Sequence, residues 1–168
     1  MTHAEGITAA QVERARRLGV TVQIRSMGVI GGQERAVEVY GQEALQGMPL
    51  LRMLADSGLS WGLGTDGTKA AQVSPFVTLG WAVTGRTLGG DVAIDPAQTL
   101  SRQEAVIAHT RSNAWLMFQE AYIGSIRPGL RADRLVLDRD YLTAPPDEIN
   151  DIRPLATIVD GNLVHGSL

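Results

Sequence analysis

The sequence contains the same arrangement twice: an amphipathic helix, a glycine, and then a short apolar strand. The first helix runs from Thr8 to Gly19 and precedes a strand at residues 20–24. The second helix spans residues 49–58 and precedes a strand at residues 61–65. A helix that returns to a strand through a single glycine is typical of parallel α/β units. The sequence therefore predicts an α/β fold whose parallel strands are buried on both faces.

Capping residues place the helix starts. Thr8 with Gln11, and Ser101 with Glu104, each form a capping box, in which two side chains satisfy backbone N–H groups at the helix N-terminus. Proline suits the first turn of a helix, which places the other starts at residues 49 and 75. We therefore predict further helices at residues 75–87 and from residue 101 onward, and a short helix around residues 34–40.

The pattern changes after Phe118, where turn residues and short strands replace helices. We predict a strand at residues 134–137 and a hairpin of residues 155–165, with its turn at Asp160, Gly161 and Asn162. Asp-Gly between apolar runs is a strong hairpin signal. The sequence thus predicts two parts, residues 1–120 and 121–168.

Composition excludes several classes of function. The chain has 168 residues, a formal net charge of −3 and a pI near 5.6, which do not favour a nucleic-acid partner. It has no cysteine, so it has neither a disulfide nor a thiolate metal site. No apolar run approaches the roughly 20 residues that span a bilayer, and the N-terminus lacks a signal-peptide pattern. We expect a cytoplasmic protein that contacts no membrane.

Asp66 is the residue that most needs explaining. It follows an apolar strand and lies among Gly64, Thr65 and Gly67, in the stretch WGLGTDGTKA. An acid at this place can be a turn residue, a metal ligand or a general base, and the local residues leave these alternatives open.

The other candidate groups have ordinary explanations. His3 lies close to the first residue, where a solvated side chain is the usual case. His109 lies within a helix and is expected to be structural, whereas His165 in the closing hairpin is expected to be exposed. The glycines of residues 28–32 lack the lysine and the spacing of a nucleotide-binding loop.

Five stretches, in this order, resemble the carboxyl-terminal third of the amidohydrolase superfamily, nearest to the branch with the N-substituted formamide deformylases. They read THAEGITAAQVERARRLGV, LLRMLADSGLSWGLGTD, LSRQEAVIAHTRSNAW, GSIRPGLRADRLVLDRD and ATIVDGNLVH. The resemblance covers nearly the whole chain. It implies a fragment of a (β/α)₈ TIM barrel, formed by the last strands and helices, plus the C-terminal strands of a small β-domain.

The resemblance also implies a chemistry. It suggests a metal-dependent hydrolase, usually with zinc, that cleaves C–N bonds of small-molecule amides, formamides or cyclic amides. Asp66 would end the eighth barrel strand as a catalytic residue and metal ligand, and His3 would be a further metal ligand. A metal lowers the pKa of bound water, and a nearby carboxylate can take and later return the proton.

The chain also departs from the family. The resemblance calls for an H-x-H pair, a bridging lysine or glutamate and a further histidine, whereas the sequence has three histidines and a single lysine, Lys69. Zinc sites use about three or four protein ligands, and His3 with Asp66 gives two. We therefore expect a fragment that is inactive alone and that forms a homo-oligomer or binds a complementing barrel fragment. The alternative is a non-catalytic α/β module that self-associates or binds a partner.

Overall fold

The computed structural model describes residues 1–26, 38–39, 41, 50–67 and 74–167 and shows a mixed α/β protein. The glycine-rich stretch 28–32, Lys69 and most of the helix predicted around residues 34–40 lie outside this part. The helices are α1 (Ala9–Arg17), α2 (Leu51–Asp56), α3 (Pro75–Thr84), α4 (Arg102–His109) and α5 (Arg111–Leu116). The strands are β1 (Val22–Arg25), β2 (Trp61–Gly64), β3 (Arg134–Leu137), β4 (Pro154–Val159) and β5 (Asn162–Gly166).

The first sheet pairs β1 and β2 in parallel, with Val22 opposite Trp61 and Arg25 opposite Gly64. The chain start extends it: the Met1 amino group donates to the Thr21 carbonyl at 2.7 Å, and the Met1 carbonyl accepts the Gln23 N–H at 2.9 Å. The inward side chains of both strands are buried in one core with the helices. The parallel strands predicted from the two repeats are therefore confirmed, shifted by one or two residues at their ends.

The second sheet is antiparallel, in the order β3–β4–β5. A two-residue turn joins β4 to β5, with Asp160 at φ 50° and Gly161 at φ 80°. Two successive positive φ angles match the twist of a hairpin, which explains the Asp-Gly pair. The Asp133 carboxylate accepts the Asp160 N–H at 2.6 Å and ties β3 to this turn. The predicted hairpin is confirmed.

Two helix predictions need correction. The stretch from Ser101 forms two helices, because Thr110 leaves the helical conformation with φ −121° and ψ −83°. Helix α3 ends at Thr84 instead of residue 87, because Gly85 adopts the left-handed conformation that terminates a helix. Both predicted capping boxes are present.

The segment after residue 120 packs against the helices of the first part. The Arg102 guanidinium donates to the carbonyls of Tyr141 and Ala144, and the Tyr141 hydroxyl donates back to the Arg102 carbonyl at 3.1 Å. Ile149 and Ile152, in and after the 3₁₀ helix Pro146–Asp151, are fully buried in the same core. A second 3₁₀ helix spans Pro96–Gln98. No helix among the described residues is long and apolar enough to cross a membrane.

Candidate functional site

The carboxyl ends of β1 and β2 lie side by side, because the two strands are parallel and Arg25 pairs with Gly64. Asp66 follows two residues after β2 and has a φ of 57°, in the left-handed region that Asp tolerates better than most residues. The Thr65 hydroxyl accepts the Gly67 N–H at 3.2 Å and closes this small turn. The chain thus holds a carboxylate at the end of the parallel sheet.

The Asp66 carboxylate is ion-paired. The Arg25 guanidinium donates from Nη1 to Asp66 Oδ1 at 2.5 Å. Only 23% of the Arg25 side chain and 28% of the Asp66 side chain are exposed. Water therefore screens this pair less than it screens pairs on an open surface. The guanidinium of Arg25 therefore already serves as the counter-ion of the Asp66 carboxylate.

Glu5 belongs to the same strand end. Its Oε1 accepts the Arg25 N–H at 2.9 Å. The backbone hydrogen bonds that join the first residues of the chain to β1 end just before this point. His3 interrupts this ladder of hydrogen bonds with a φ of 57°. The His3 side chain is 61% exposed, and its Nδ1 lies 3.8 Å from Glu5 Oε2. His3 thus lies beside Glu5, and Glu5 contacts the main chain of the arginine that holds Asp66.

Two buried hydroxyls lie beneath this group. Ser26 and Thr78 are both fully buried, with 2.6 Å between their oxygens. Ser26 Oγ also donates to the Gly64 carbonyl at 3.4 Å. A buried hydroxyl needs such a partner, because leaving it unpaired costs free energy. This contact attaches α3 to the end of the sheet beside Asp66.

The described residues do not fit a metal site by themselves. They contain no group of three or more His, Asp or Glu side chains that could hold a metal ion. The Arg25 guanidinium also occupies Asp66, and its charge would repel a divalent cation. The metal roles predicted for His3 and Asp66 stay predictions.

Sequence reasoning missed Glu5 and Arg25. Arg25 could have been found, because it ends the strand beside that of Asp66 and the ends of parallel strands meet at one edge. Glu5 carried no comparable signal, since it follows an irregular turn.

The two remaining histidines lie elsewhere. His165 is exposed in β5, as expected. His109 ends α4, and burial lowers the pKa of its imidazole. Its Nε2 is buried and has no hydrogen-bond partner in the described part of the chain. It lines a largely apolar cavity of about 680 Å³ between the helices and β3, remote in sequence from the Asp66 turn.

Comparison with known proteins places this chain in a family. The sequence profile of the amidohydrolase family matches residues 1–165. An N-substituted formamide deformylase from Arthrobacter pascens is 29% identical over 166 residues, which are 97% of this chain and 30% of the relative. The chain thus spans about a third or less of the curated relatives that it matches.

Solved structures agree with this placement. A metal-dependent hydrolase from Pyrococcus furiosus matches 84% of this chain and 28% of its own, with 27% identity and a TM-score of 0.68. A variant of atrazine chlorohydrolase TrzN from Arthrobacter aurescens, solved with zinc and atraton, matches 98% of this chain and 35% of its own. Its identity is 19% and its TM-score 0.65, so it supports the fold alone.

Proposed function

Because the chain belongs to the amidohydrolase family, we propose that it forms the last part of a metal-dependent hydrolase barrel that cleaves C–N bonds of amides, formamides or cyclic amides. In this proposal β1 and β2 are the last two strands of a (β/α)₈ barrel. The antiparallel sheet β3–β5 is then part of the small β-domain. Matches to solved structures of a metal-dependent hydrolase and a guanine deaminase, with TM-scores of 0.68 and 0.66, support a shared fold.

Asp66 is the catalytic residue of the proposal. The observation that carries it is the position of the carboxylate, just beyond the carboxyl end of a parallel strand, where barrel enzymes hold their catalytic groups. There Asp66 would take a proton from the attacking water and pass it to the leaving amine. Arg25 must release Asp66 Oδ1 before that oxygen can take a proton, because the guanidinium occupies it at 2.5 Å.

Zinc is the metal that we propose for the complete site, with His3 as a further ligand. Imidazole and carboxylate donors suit zinc, and about three or four of them are needed. The described residues bring together fewer than that. The remaining ligands must therefore come from outside the described residues, and we expect the isolated chain not to hydrolyse amides.

A panel of formamides, N-acyl amino acids and cyclic amides, with added zinc or manganese, tests this expectation. The expected result is no turnover by the isolated chain. Turnover that Asp66→Asn abolishes would contradict the expected inactivity, and it would mean that residues outside the described part, or another copy, supply the missing ligands.

A chimera tests the positive part of the proposal. This chain would replace the matching 30% of the Arthrobacter pascens deformylase. The chimera should hydrolyse an N-substituted formamide, and Asp66→Asn should abolish that activity. The matched control is Asp56→Asn, which removes an exposed acid at the end of α2. Equal activity of the Asp66→Asn chimera and its parent would refute the role of Asp66.

A second function has its own support. Phe118 and Ile126 are each 83% exposed, and Trp115, Met117 and Tyr122 near them are also substantially exposed. Contiguous exposed apolar side chains often mark interaction sites. This favours a module that self-associates or binds a partner, with or without catalysis. Light scattering at micromolar concentration should show an oligomer, and a monodisperse monomer of 18.0 kDa would argue against it.

A further inference from the structure

We propose that Arg25 is the resident cation of the Asp66 site and keeps divalent metal ions off this carboxylate in the chain as it stands. This inference rests on the proposed function, because it concerns the same carboxylate. It adds the residue that controls access to Asp66.

Main-chain contacts hold the backbone of Arg25 in place independently of its side chain. Its main-chain segment belongs to β1, opposite Gly64 of β2. Its N–H is held by the Glu5 carboxylate at 2.9 Å. The guanidinium therefore starts from an ordered strand end, and it reaches Asp66 from the neighbouring strand of the same sheet.

The contact uses one of the two carboxylate oxygens that a metal could bind. Arg25 Nη1 lies 2.5 Å from Asp66 Oδ1. A metal ion bound to Oδ1 would stand beside a positive charge in a place that is about three-quarters buried. Like charges at such a distance repel strongly where water screens them poorly. A divalent ion that binds Asp66 therefore meets this repulsion as long as the guanidinium stays in place.

The neighbouring donors do not offset this repulsion. Glu5 uses one carboxylate oxygen for the Arg25 N–H, and its other oxygen faces His3 at 3.8 Å. Within the described ranges, His3, Glu5 and Asp66 do not form a group that could hold a metal. Arg25 thus neutralises the charge of the Asp66 carboxylate.

Calorimetric titration with Zn²⁺, and absorption titration with Co²⁺, test the proposal on the intact chain. Arg25→Gln removes the charge and should raise the affinity for Zn²⁺ by about tenfold or more, because it frees a partly buried carboxylate. The double variant Arg25→Gln with Asp66→Asn should return to the affinity of the parent chain. The matched control is Arg17→Gln, which removes an exposed charge from α1 and should change nothing.

A further variant keeps the proposal testable if Arg25→Gln does not fold. Asp66→Asn alone should leave the weak metal binding of the parent chain unchanged, because its carboxylate is already engaged. Loss of metal affinity in Asp66→Asn would overturn the proposal. Equal affinity of a folded Arg25→Gln variant and the parent chain would also overturn it.

The two proposals fail separately. If the chimera hydrolyses formamides but Arg25→Gln gains no metal affinity, the proposed exclusion of metal ions by Arg25 is wrong and the proposed function stands. If Arg25→Gln gains metal affinity through Asp66 while the chimera stays inactive, the exclusion of metal ions by Arg25 stands and the proposed function is wrong.

Discussion

The two sheets of this molecule are built in opposite ways. The parallel sheet β1–β2 lies inside the helices, and Ile24 and Leu63 are completely buried. The antiparallel sheet β3–β5 lies outside them: β5 is exposed along its whole length, and Leu163 is 47% exposed. The buried sheet carries Asp66 at its end, whereas the exposed sheet carries no candidate catalytic residue.

This difference shows which part of the molecule is closed to water and which part is open to it. A carboxylate at the end of a buried sheet is held by packing on both faces, so its position is well defined. The outer sheet is more open to water, since three of the four residues of β3 and all residues of β5 are exposed. Substitutions in the two sheets should therefore differ greatly in their effect.

The largest expected difference is between two leucines, one in each sheet. Leu63→Ala should reduce the free energy of unfolding by about 2–5 kcal/mol, because it leaves a cavity in a closed core. Leu163→Ala should cost less than about 1 kcal/mol, because that side chain is half in water. Urea denaturation of both variants measures the difference. Equal losses would mean that the outer sheet is buried in solution, as it would be in an oligomer.

A smaller difference is expected between two glycines. A Cβ on Gly62 of β2 would lie 2.1 Å from Asn113 Oδ1, so Gly62→Ala displaces the Asn113 side chain from its contact with β2 and should cost about 1–3 kcal/mol. Gly129, before β3, has a φ of 90° and open space around it. Gly129→Ala should cost only the backbone strain, about 1 kcal/mol. Thermal melting of both variants measures the difference in stability. A larger loss of stability for Gly129→Ala than for Gly62→Ala would contradict this prediction.

The smallest expected effect is on the stability of the fold at acid pH. The bidentate Arg52 guanidinium holds the Glu104 carboxylate at 2.7 and 3.0 Å and lowers its pKa to about 2, from an ordinary value of 4.5. A carboxylate with a lowered pKa stabilises the fold above its unfolded-state pKa. This contribution disappears as the pH falls from about 4.5 towards 2. The melting temperature of Glu104→Gln should therefore fall less steeply over this range than that of the parent chain.

The control for this prediction lies beside the outer sheet. Glu148→Gln removes a carboxylate 2.7 Å from Arg139 that is about half exposed. It should change the acid response less than Glu104→Gln does. A larger change at Glu148 would mean that the outer sheet, and not the helices around the inner one, gives way first in acid.

Local sequence signals predicted the local structure well. Thr8 with Gln11 and Ser101 with Glu104 form the expected caps, because a capping box involves residues only three apart. The turn at Asp160 and Gly161 also depends on adjacent residues. Such features need no knowledge of what lies across the molecule.

Contacts between distant residues could not be predicted in the same way. The break at Thr110 separates α4 from α5, although the residues around it favour a continuous helix. The Arg25–Asp66 pair joins residues 41 positions apart. The sequence places each of them at the end of a strand. It does not show which atom of one residue contacts the other. The resemblance predicted the family, yet not the guanidinium at the carboxylate.

The contact of Asn113 with β2 has a consequence for association. The Ser60 carbonyl accepts the Val22 N–H at 3.2 Å, so the Leu63 carbonyl, three residues later, faces the opposite edge of the strand. There the Asn113 side-chain amide donates to it at 2.7 Å, and the missing side chain of Gly62 allows this approach. An open strand edge is a template on which other chains can add strands and aggregate. Asn113 occupies one acceptor on that edge, so any strand that pairs there must first displace this side chain.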